Sequence, residues 1–372
     1  MPVRRTFVFV ASVILAVAAG AAENPVKIDS GTFGGLRARA IGPAVMSGRI
    51  AAMDAVAEDP VTVWIGSASG GVWKSENAGV TFEPVFDDHN QSIGAVTVDP
   101  SSPETVWIGT GETWVRNSVS VGDGVYKTTD GGDTWQHLGL EDTERIAKIA
   151  VHPDEPDTVY VCATGPLWSS GEARGVYKTT DGGANWEMIF TIDADTGCAD
   201  LDMDPQEPDI LYAAMWQFRR YPDFFTSGGP GSGLYRTTDG GATWTELTEG
   251  LPEGELGRIA VAIAPSRPAV VYATVEAETT ALYRSDDLGT NWRKTDDSTN
   301  IQMRPFYFSE LVVDPTDHNR VYKPGFTLTV SDDGGDSFSG LFGAGFNMGS
   351  VHSDHHALWI NPSNPHHLIL GT

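Results

Sequence analysis

The stretch Thr179-Thr180-Asp181-Gly182-Gly183-Ala184-Asn185-Trp186 occurs in five further versions along this chain of 372 residues. The other versions surround Asp130, Asp239, Asp287 and Asp333, with a degenerate copy at Asn77. Their third positions are 53, 51, 58, 48 and 46 residues apart. This period suits a four-stranded propeller blade and is too long for a leucine-rich or ankyrin repeat. The spacing therefore predicts one blade for each copy.

A second element alternates with the first along the chain. It is an apolar run that ends in proline and is followed by another strand, as in 96–100 leading to 106–109. This element occurs seven times, the first copy ending at Ile65 and the last reaching Leu370. Proline turns would join strands A and B, and the Asp-containing turns would join strands C and D.

Together the two elements predict an all-β, seven-bladed propeller of four-stranded antiparallel blades, with an incomplete seventh blade. The chain stops at Thr372, where the seventh C–D hairpin would begin. Either residues 28–42 supply the missing strands or the sequence is a truncated piece of a longer protein. We favour truncation, because one short segment cannot easily provide two strands.

The repeated aspartates are predicted to have a structural role. A carboxylate at this position can accept hydrogen bonds from the N–H groups of its own turn, and the glycines can adopt positive φ. The sequence Asp-Gly-Gly-Asp at 130–133 also suggests calcium, but the spaced acidic ligands of a calcium loop are absent. We therefore assign structural roles to Asp130, Asp181, Asp239, Asp287 and Asp333.

Charge and cysteine content exclude several classes of protein. The chain has 24 Lys and Arg and 50 Asp and Glu, and its net charge of −26 repels nucleic acid and anionic membrane surfaces. The two cysteines, Cys162 and Cys198, exclude a disulfide scaffold and a thiolate metal cluster. A single Cys162–Cys198 disulfide and two free thiols both remain open.

The amino terminus predicts export. Arg4 and Arg5 precede an apolar run from residue 7 to residue 19, and small residues follow at 19–21. We assign residues 1–22 to a signal peptide cleaved near 21–22, residues 23–45 to a leading segment and residues 46–372 to the propeller. A secreted or periplasmic protein without membrane insertion is expected.

The Asp-containing turns are the Asp box, or BNR repeat, and the chain resembles a family of large secreted bacterial proteins that are sortilin-amino-terminal-like and glycosyl hydrolase-like. That resemblance implies a longer parent with a second propeller, which is a possible partner. It rests on 48–50, 69–74, 111–112, 116–119, 229–235 and 354–359.

The face opposite the regular turns is the predicted binding face, because B–C loops of unequal length lie there. Arg49, Arg145 and Arg258 each begin an Arg-Ile-Ala triplet and could converge on an anionic ligand. The alternative is that each arginine pairs with a carboxylate near the channel, such as Glu144 or Asp200. Further ligand-binding candidates are Trp216, Arg219, Tyr221, Tyr307 and His355.

Metal binding and catalysis are weakly indicated. On an extended segment, His352, Asp354 and His356 would point the same way, but hydrogen bonds at a strand entry explain them equally well. No metal or cofactor is assigned. Glycoside hydrolysis needs two carboxylates, and Ala68 stands where the resemblance to xyloglucanases would require an acid.

The sequence thus predicts an exported binding module for a polysaccharide or peptide ligand. A glycoside hydrolase of the xyloglucanase or sialidase kind, lacking its second propeller, is the first alternative. An envelope assembly scaffold is the second.

Overall fold

In a computed structural model, the described residues are 48–57, 59–116, 119–340 and 351–372. They form five four-stranded antiparallel sheets, one five-stranded sheet in which a fifth strand pairs with the second, and one two-stranded sheet. The strands of each blade, A to D, follow in chain order because every connection is a hairpin. The predicted signal peptide, the leading segment and residues 28–42 lie outside the described residues.

The first three blades have their strands at closely corresponding positions. Blade 1 contains β1 Ile50–Ala55, β2 Val63–Ser67, β3 Gly71–Ser75 and β4 Glu83–Pro84. Blade 2 contains β5 Ile93–Asp99, β6 Ser102–Thr110, β7 Val125–Thr128 and β8 Gln136–His137. Blade 3 contains β9 Ile146–Val151, β10 Val159–Ala163, β11 Gly175–Thr179 and β12 Glu187–Phe190.

The remaining blades follow the same plan with one addition. Blade 4 contains β13 Thr196–Met203, β14 Leu211–Arg220, β16 Gly233–Thr237 and β17 Thr245–Leu247, and β15 Phe225–Ser227 pairs with the end of β14. Blade 5 contains β18 Ile259–Ile263, β19 Val271–Val275, β20 Ala281–Ser285 and β21 Arg293–Asp296. Blade 6 contains β22 Val312–Val313, β23 Val321–Lys323, β24 Thr329–Ser331 and β25 Ser339–Gly340.

The structure therefore has six four-stranded blades and not the predicted seven. A final sheet pairs β26 Ala357–Ile360 with β27 Leu368–Gly371, and it adjoins blade 1, where the Ile50 N–H donates to the Thr372 carbonyl at 3.0 Å. A short 3₁₀ helix, Glu141–Thr143, and the four-residue helix α1, Thr299–Gln302, lie in crossovers between blades.

Each Asp-containing turn is closed by its own side chains. In blade 3, the Asp181 carboxylate accepts hydrogen bonds from the Asn185 N–H at 2.9 Å and the Thr179 hydroxyl at 2.8 Å. The Thr179 oxygen in turn accepts the Gly183 N–H at 3.0 Å. The Asn185 side-chain amide also donates to this carboxylate, at 2.7 Å, and with the other donors it stabilises the ionised form and lowers the pKa of Asp181 to about 2. Corresponding hydrogen bonds occur at Asp130, Asp239, Asp287 and Asp333.

The turns also hold neighbouring blades together. One buried aromatic side chain stands at the same position on strand B of the six blades: Trp64, Trp107, Tyr160, Tyr212, Tyr272 and Tyr322. In the Asp-containing turn of the next blade, the glycine two residues after the aspartate lies against this ring, so that a Cβ on Gly132 would stand 2.9 Å from Trp64 and one on Gly289 would stand 3.2 Å from Tyr212. Both glycines also have positive φ, so a side chain at these positions is disfavoured by the backbone conformation as well as by the close ring.

The degenerate turn of blade 1, around Asn77, lacks the contact between a glycine and an aromatic ring of the neighbouring blade within the described residues. Asn77 keeps the hydrogen bonding of the aspartates, because its amide oxygen accepts the Thr81 N–H at 2.8 Å. Within the described residues, however, a Cβ on Gly79 would have only the Phe82 ring of its own turn within 4 Å. Val80 in this turn is 79% exposed.

The A–B turns carry a second repeated capping residue that the sequence analysis missed. Asp99, Asp204 and Asp314 each accept a hydrogen bond at 2.8 Å from the backbone N–H two residues later. Asn361 does the same between β26 and β27. The signal was present in the sequence as an Asp or Asn directly before the proline, a position that favours such turns.

Cys162 and Cys198 form a disulfide bond, which decides between the two open alternatives. Cys162 lies on strand β10 of blade 3 and Cys198 on strand β13 of blade 4, and both are fully buried. The bond therefore links two adjacent blades across their interface, closing a loop with a sequence separation of 36.

Replacing both cysteines, in the variant C162A/C198A, is expected to lower the free energy of unfolding by roughly 2–4 kcal/mol, the usual range for a loop-closing disulfide. Urea denaturation followed by tryptophan fluorescence measures it. A strong reductant should destabilise the wild type and leave the variant unchanged. Equal stability of the oxidised wild type and the variant would contradict the assignment.

Candidate functional site

The candidate site is the face that carries the B–C loops and the crossovers from strand D to the next strand A, here called the top face. Seven of the nine exposed large apolar side chains among the described residues lie on its connections. The seven are Val121, Trp168, Ile192, Phe224, Met303, Phe326 and Val351. Val61 and Val80 lie on the opposite, bottom face. Exposed apolar surface of the described chain is thus concentrated on one face.

Arg258 is buried among aromatic side chains at the top of the channel. Its guanidinium carbon lies 4.7 Å from the centre of the Trp114 ring and 5.0 Å from that of Trp216, and the side chain is 2% exposed. It donates to the carbonyls of Thr113 at 2.8 Å and Phe306 at 3.1 Å. Burial lowers the pKa of Arg258 to about 10. Arg258 therefore binds two top-face connections together.

The other two predicted arginines also have partners within the chain. Arg145 is buried and donates to the Glu144 carboxylate at 2.7 Å and to the Gly165 carbonyl at 3.3 Å. Arg49 forms an ion pair with Glu112. These contacts favour the structural alternative for all three arginines over an open anion-binding mouth.

Arg174 and Lys323 are two further buried cations that donate to backbone carbonyls, and the sequence analysis did not identify them. Arg174 donates to the carbonyls of Thr164 at 2.9 Å and Ser169 at 3.0 Å within the B–C loop of blade 3. Lys323 donates to the Phe308 carbonyl at 2.6 Å, and burial lowers its pKa to about 7. Nothing in the sequence distinguishes these cations from surface ones, because their acceptors are backbone carbonyls.

Three predicted ligand contacts, Trp216, Tyr307 and His355, are inaccessible in this structure. Trp216 lies within strand β14 rather than in a loop, is fully buried and stacks on Phe218 with ring centres 4.2 Å apart. Tyr307 and His355 are also buried. All three side chains are thus buried in this structure, and their contact with a ligand stays a prediction.

The predicted metal ligands do not come together. Within the part of the chain that the structure describes, no group of three or more His, Cys, Asp or Glu side chains could hold a metal ion. His356 instead lies among Trp114, Tyr307 and Phe308, with ring centres 4.4 to 5.5 Å away. Burial lowers the pKa of His356 to about 2, so its ring is neutral.

The channel itself contains ionisable side chains from opposite blades. The Lys148 amine of strand β9 lies 3.3 Å from the Glu310 carboxylate, which precedes strand β22, and 3.9 Å from Asp200. Lys148, Glu310, His356 and Trp114 line a cavity of about 80 Å³.

Burial raises the pKa of Asp202 to about 7, although its carboxylate accepts the Ile263 N–H at 2.7 Å.

Arg219 and Tyr221 are the two candidates that remain at the surface. They belong to a hairpin, formed by the end of β14 and by β15, that extends the B–C connection of blade 4. Arg219 lies 3.9 Å from Asp195, and Tyr221 stacks on Phe224 with ring centres 4.3 Å apart. Asp195, Arg219 and Tyr221 line a pocket of about 100 Å³ together with Gln217 and Thr226.

Among the described residues no helix is long and apolar enough to cross a membrane.

A family model named Sortilin-Vps10, with the description sortilin, neurotensin receptor 3, matches residues 70–213 and 123–278, which together exceed half of the chain. The chain belongs to the Sortilin-Vps10 family. This membership agrees with the sortilin-like resemblance of the Asp-box repeats.

The Sortilin-Vps10 chain is also similar to glycoside hydrolases. It is 27% identical over 230 residues to a xyloglucanase of Hypocrea jecorina, covering 54% of this chain and 26% of that enzyme. The chain therefore spans about a quarter of the length of this curated relative. An ancestral GH74 enzyme superposes with a TM-score of 0.55 at 17% identity, covering 85% of this chain and 51% of the other.

A propeller of matching size is found in a second protein. The structure titled YCF48 bound to D1 peptide superposes with a TM-score of 0.59 at 18% identity. It covers 88% of this chain and 92% of YCF48. At this level of identity, the structural likenesses establish the propeller fold alone.

Replacing Arg258 with alanine is expected to destabilise this Sortilin-Vps10 propeller by about 2–5 kcal/mol, because it leaves a cavity between two tryptophans and buried carbonyls without donors. Thermal and urea unfolding measure the loss. Arg219→Ala, on the same face but partly exposed, serves as the control and should stay within about 0.5 kcal/mol of the wild type. An Arg258→Ala variant of unchanged stability would contradict the structural role.

Asp202 is expected to make stability fall as pH rises. The folded state keeps a proton on Asp202 up to a pKa of about 7, whereas the unfolded chain releases it near 4. Between these values the folded state binds more protons, so this group stabilises the fold at the acidic end and loses that contribution toward pH 7. Urea unfolding at several pH values should show wild type declining relative to Asp202→Asn. Parallel profiles would contradict the assignment.

Proposed function

We propose that this chain is an exported propeller that binds a polysaccharide or peptide ligand on its top face. The observation that carries the proposal is that seven of nine exposed large apolar side chains lie there. Exposed apolar side chains gathered on one face are typical of an interaction site. Trp114, Trp216 and Arg258 fill the top of the channel, so the ligand would bind on the loops rather than enter the ring.

The buried cations support binding without rearrangement. Arg145, Arg174, Arg258 and Lys323 donate to carbonyls of top-face connections and hold these connections in one conformation. A preorganised surface loses less conformational entropy on binding, which favours affinity. The top face would therefore be preorganised before a ligand binds.

The comparisons support both ligand classes by analogy only. YCF48 is titled as bound to a peptide, and the Hypocrea jecorina relative is named a xyloglucanase. We include both ligand classes, peptide and polysaccharide, in the proposal for this chain. The disulfide supports export, because such bonds persist in oxidising compartments outside the cytosol.

We also propose that the complete ring has seven blades. The antiparallel pairing of β26 with β27 repeats the A–B pairing of the other blades, and Asn361 caps its turn as Asp314 caps that of blade 6. A second propeller of a longer parent is a rival occupant of the top face. An envelope scaffold would use the same surface.

A glycoside hydrolase is the second candidate function, favoured by the sequence similarity to a xyloglucanase. Ala68, at the position where that mechanism requires an acid, argues against it. Its side chain is buried and belongs to a cluster with Trp114, Tyr307 and Phe308. An acid at this position would be buried against aromatic rings.

The proposal is tested with serine substitutions on the two faces. Glycan and peptide arrays are probed with wild type, with the top-face variant W168S/F224S and with the bottom-face control V61S/V80S. The top-face variant should lose at least tenfold in affinity, because its apolar contacts are removed, whereas the control should bind like the wild type. Loss of binding only in the control would overturn the proposal.

Hydrolysis separates the second candidate from the first. Incubation with xyloglucan should release no reducing ends above a buffer blank. Release that is abolished by replacing one acidic residue would establish a hydrolase instead of a binding module.

A further inference from the structure

The hairpin of blade 4 presents an exposed aromatic ring in a fixed position. Phe224 at its turn is 53% exposed, and its ring stacks on Tyr221 with an interplanar angle of 13°. The Tyr221 N–H donates to the Phe224 carbonyl at 2.9 Å, which closes the turn. The Arg219 guanidinium carbon lies 5.4 Å from the centre of the Tyr221 ring. One ring face of Phe224 is thus supported while much of the side chain contacts solvent.

The hairpin is attached to blade 3 by polar contacts. The Arg220 N–H donates to the Leu167 carbonyl at 2.9 Å, and Arg219 donates to the Ser170 hydroxyl oxygen at 3.3 Å. Ser170 in turn donates to the Asp195 carboxylate at 2.7 Å. These contacts restrict the hairpin, so Phe224 needs little reordering to receive a ligand.

The pocket beside the ring, about 100 Å³ in volume, is lined mainly by polar side chains. Asp195 offers carboxylate oxygens and is about half exposed, while Gln217, Arg219 and Thr226 offer donors. The Arg219–Asp195 separation of 3.9 Å is too long for a strong hydrogen bond. Within the described residues, the Arg219 Nε has no hydrogen-bond partner. The pocket therefore combines unused donors and acceptors with an adjacent aromatic face.

We infer that this hairpin binds a neutral polysaccharide: one sugar ring stacks on the exposed face of Phe224, and hydroxyl groups of a neighbouring sugar unit bond to Asp195 and Arg219 in the pocket, which Tyr221 separates from Phe224. The inference rests on the proposed top-face function and names the ligand class and the residues. A sugar has an apolar ring face and a rim of groups that both donate and accept, which matches this surface. A polar lining would penalise an apolar peptide side chain, and the net charge of −26 disfavours an anionic polymer.

The test uses soluble xyloglucan, cellohexaose and soluble starch as probes in isothermal titration calorimetry. Phe224→Ala should weaken binding of the bound probe about tenfold, the loss expected when an aromatic contact of this size is removed. Phe326→Ala is the matched control, because that phenylalanine is also 53% exposed on the top face but belongs to blade 6. It should bind like the wild type, and both variants should keep the wild-type melting temperature.

A second pair of variants tests the polar contacts. Asp195→Asn and Arg219→Met should each lower affinity roughly fivefold, since each removes a hydrogen bond involving a charged group. Failure of all three glycans to bind, or equal binding by Phe224→Ala and Phe326→Ala, overturns the inference. Peptide binding that depends on the top face, without glycan binding, overturns it while the proposed function stands. Absence of any ligand for the top face overturns both.

Discussion

Blade packing in this propeller depends on a contact between a glycine and an aromatic ring. The glycine two residues after the aspartate of each Asp-containing turn in blades 2 to 6 lies against the strand-B aromatic of the preceding blade, as Gly183 does on Trp107. The Asp181 carboxylate fixes the turn that makes this approach possible, and Trp186 meets Trp107 edge-on with ring centres 6.4 Å apart. Local hydrogen bonding and packing between blades are therefore two parts of one interaction.

The part of the fold that depends on this interaction could be predicted from sequence. Thr179, Asp181 and Gly183 are close together in the chain, so their roles follow from spacing and turn chemistry alone. The blade count differed because the prediction counted the last A–B pair as a seventh, incomplete blade, whereas the described residues form six blades and a two-stranded sheet. The pairing of Cys162 with Cys198 also depends on the packing of blade 3 against blade 4, which turn spacing does not specify.

The candidate site was harder to predict for a physical reason. A sequence shows that Arg258 is positively charged but not that its acceptors are the carbonyls of Thr113 and Phe306, from two different blades. Trp216 was placed in a loop because its surroundings are irregular in sequence, whereas pairing with β15 extends the strand to Arg220. Arg219 and Tyr221 line a surface pocket near the hairpin tip, and their contact with a ligand stays a prediction.

The glycine–aromatic contacts all run in one direction, from each turn to the preceding blade, and the turn at Asn77 makes none of them within the described residues. The boundary between blade 1 and the sheet of β26 and β27 is instead held by apolar packing that includes Ile50, Trp73 and Ile369. Within the described residues, no turn glycine packs on Tyr322 either, so the boundary between blade 6 and this sheet also lacks the contact and is packed by Tyr322, Leu358 and Ile360. The sequence of the turn at Asn77 can therefore vary without disturbing the five glycine–aromatic contacts that join blades 1 to 6.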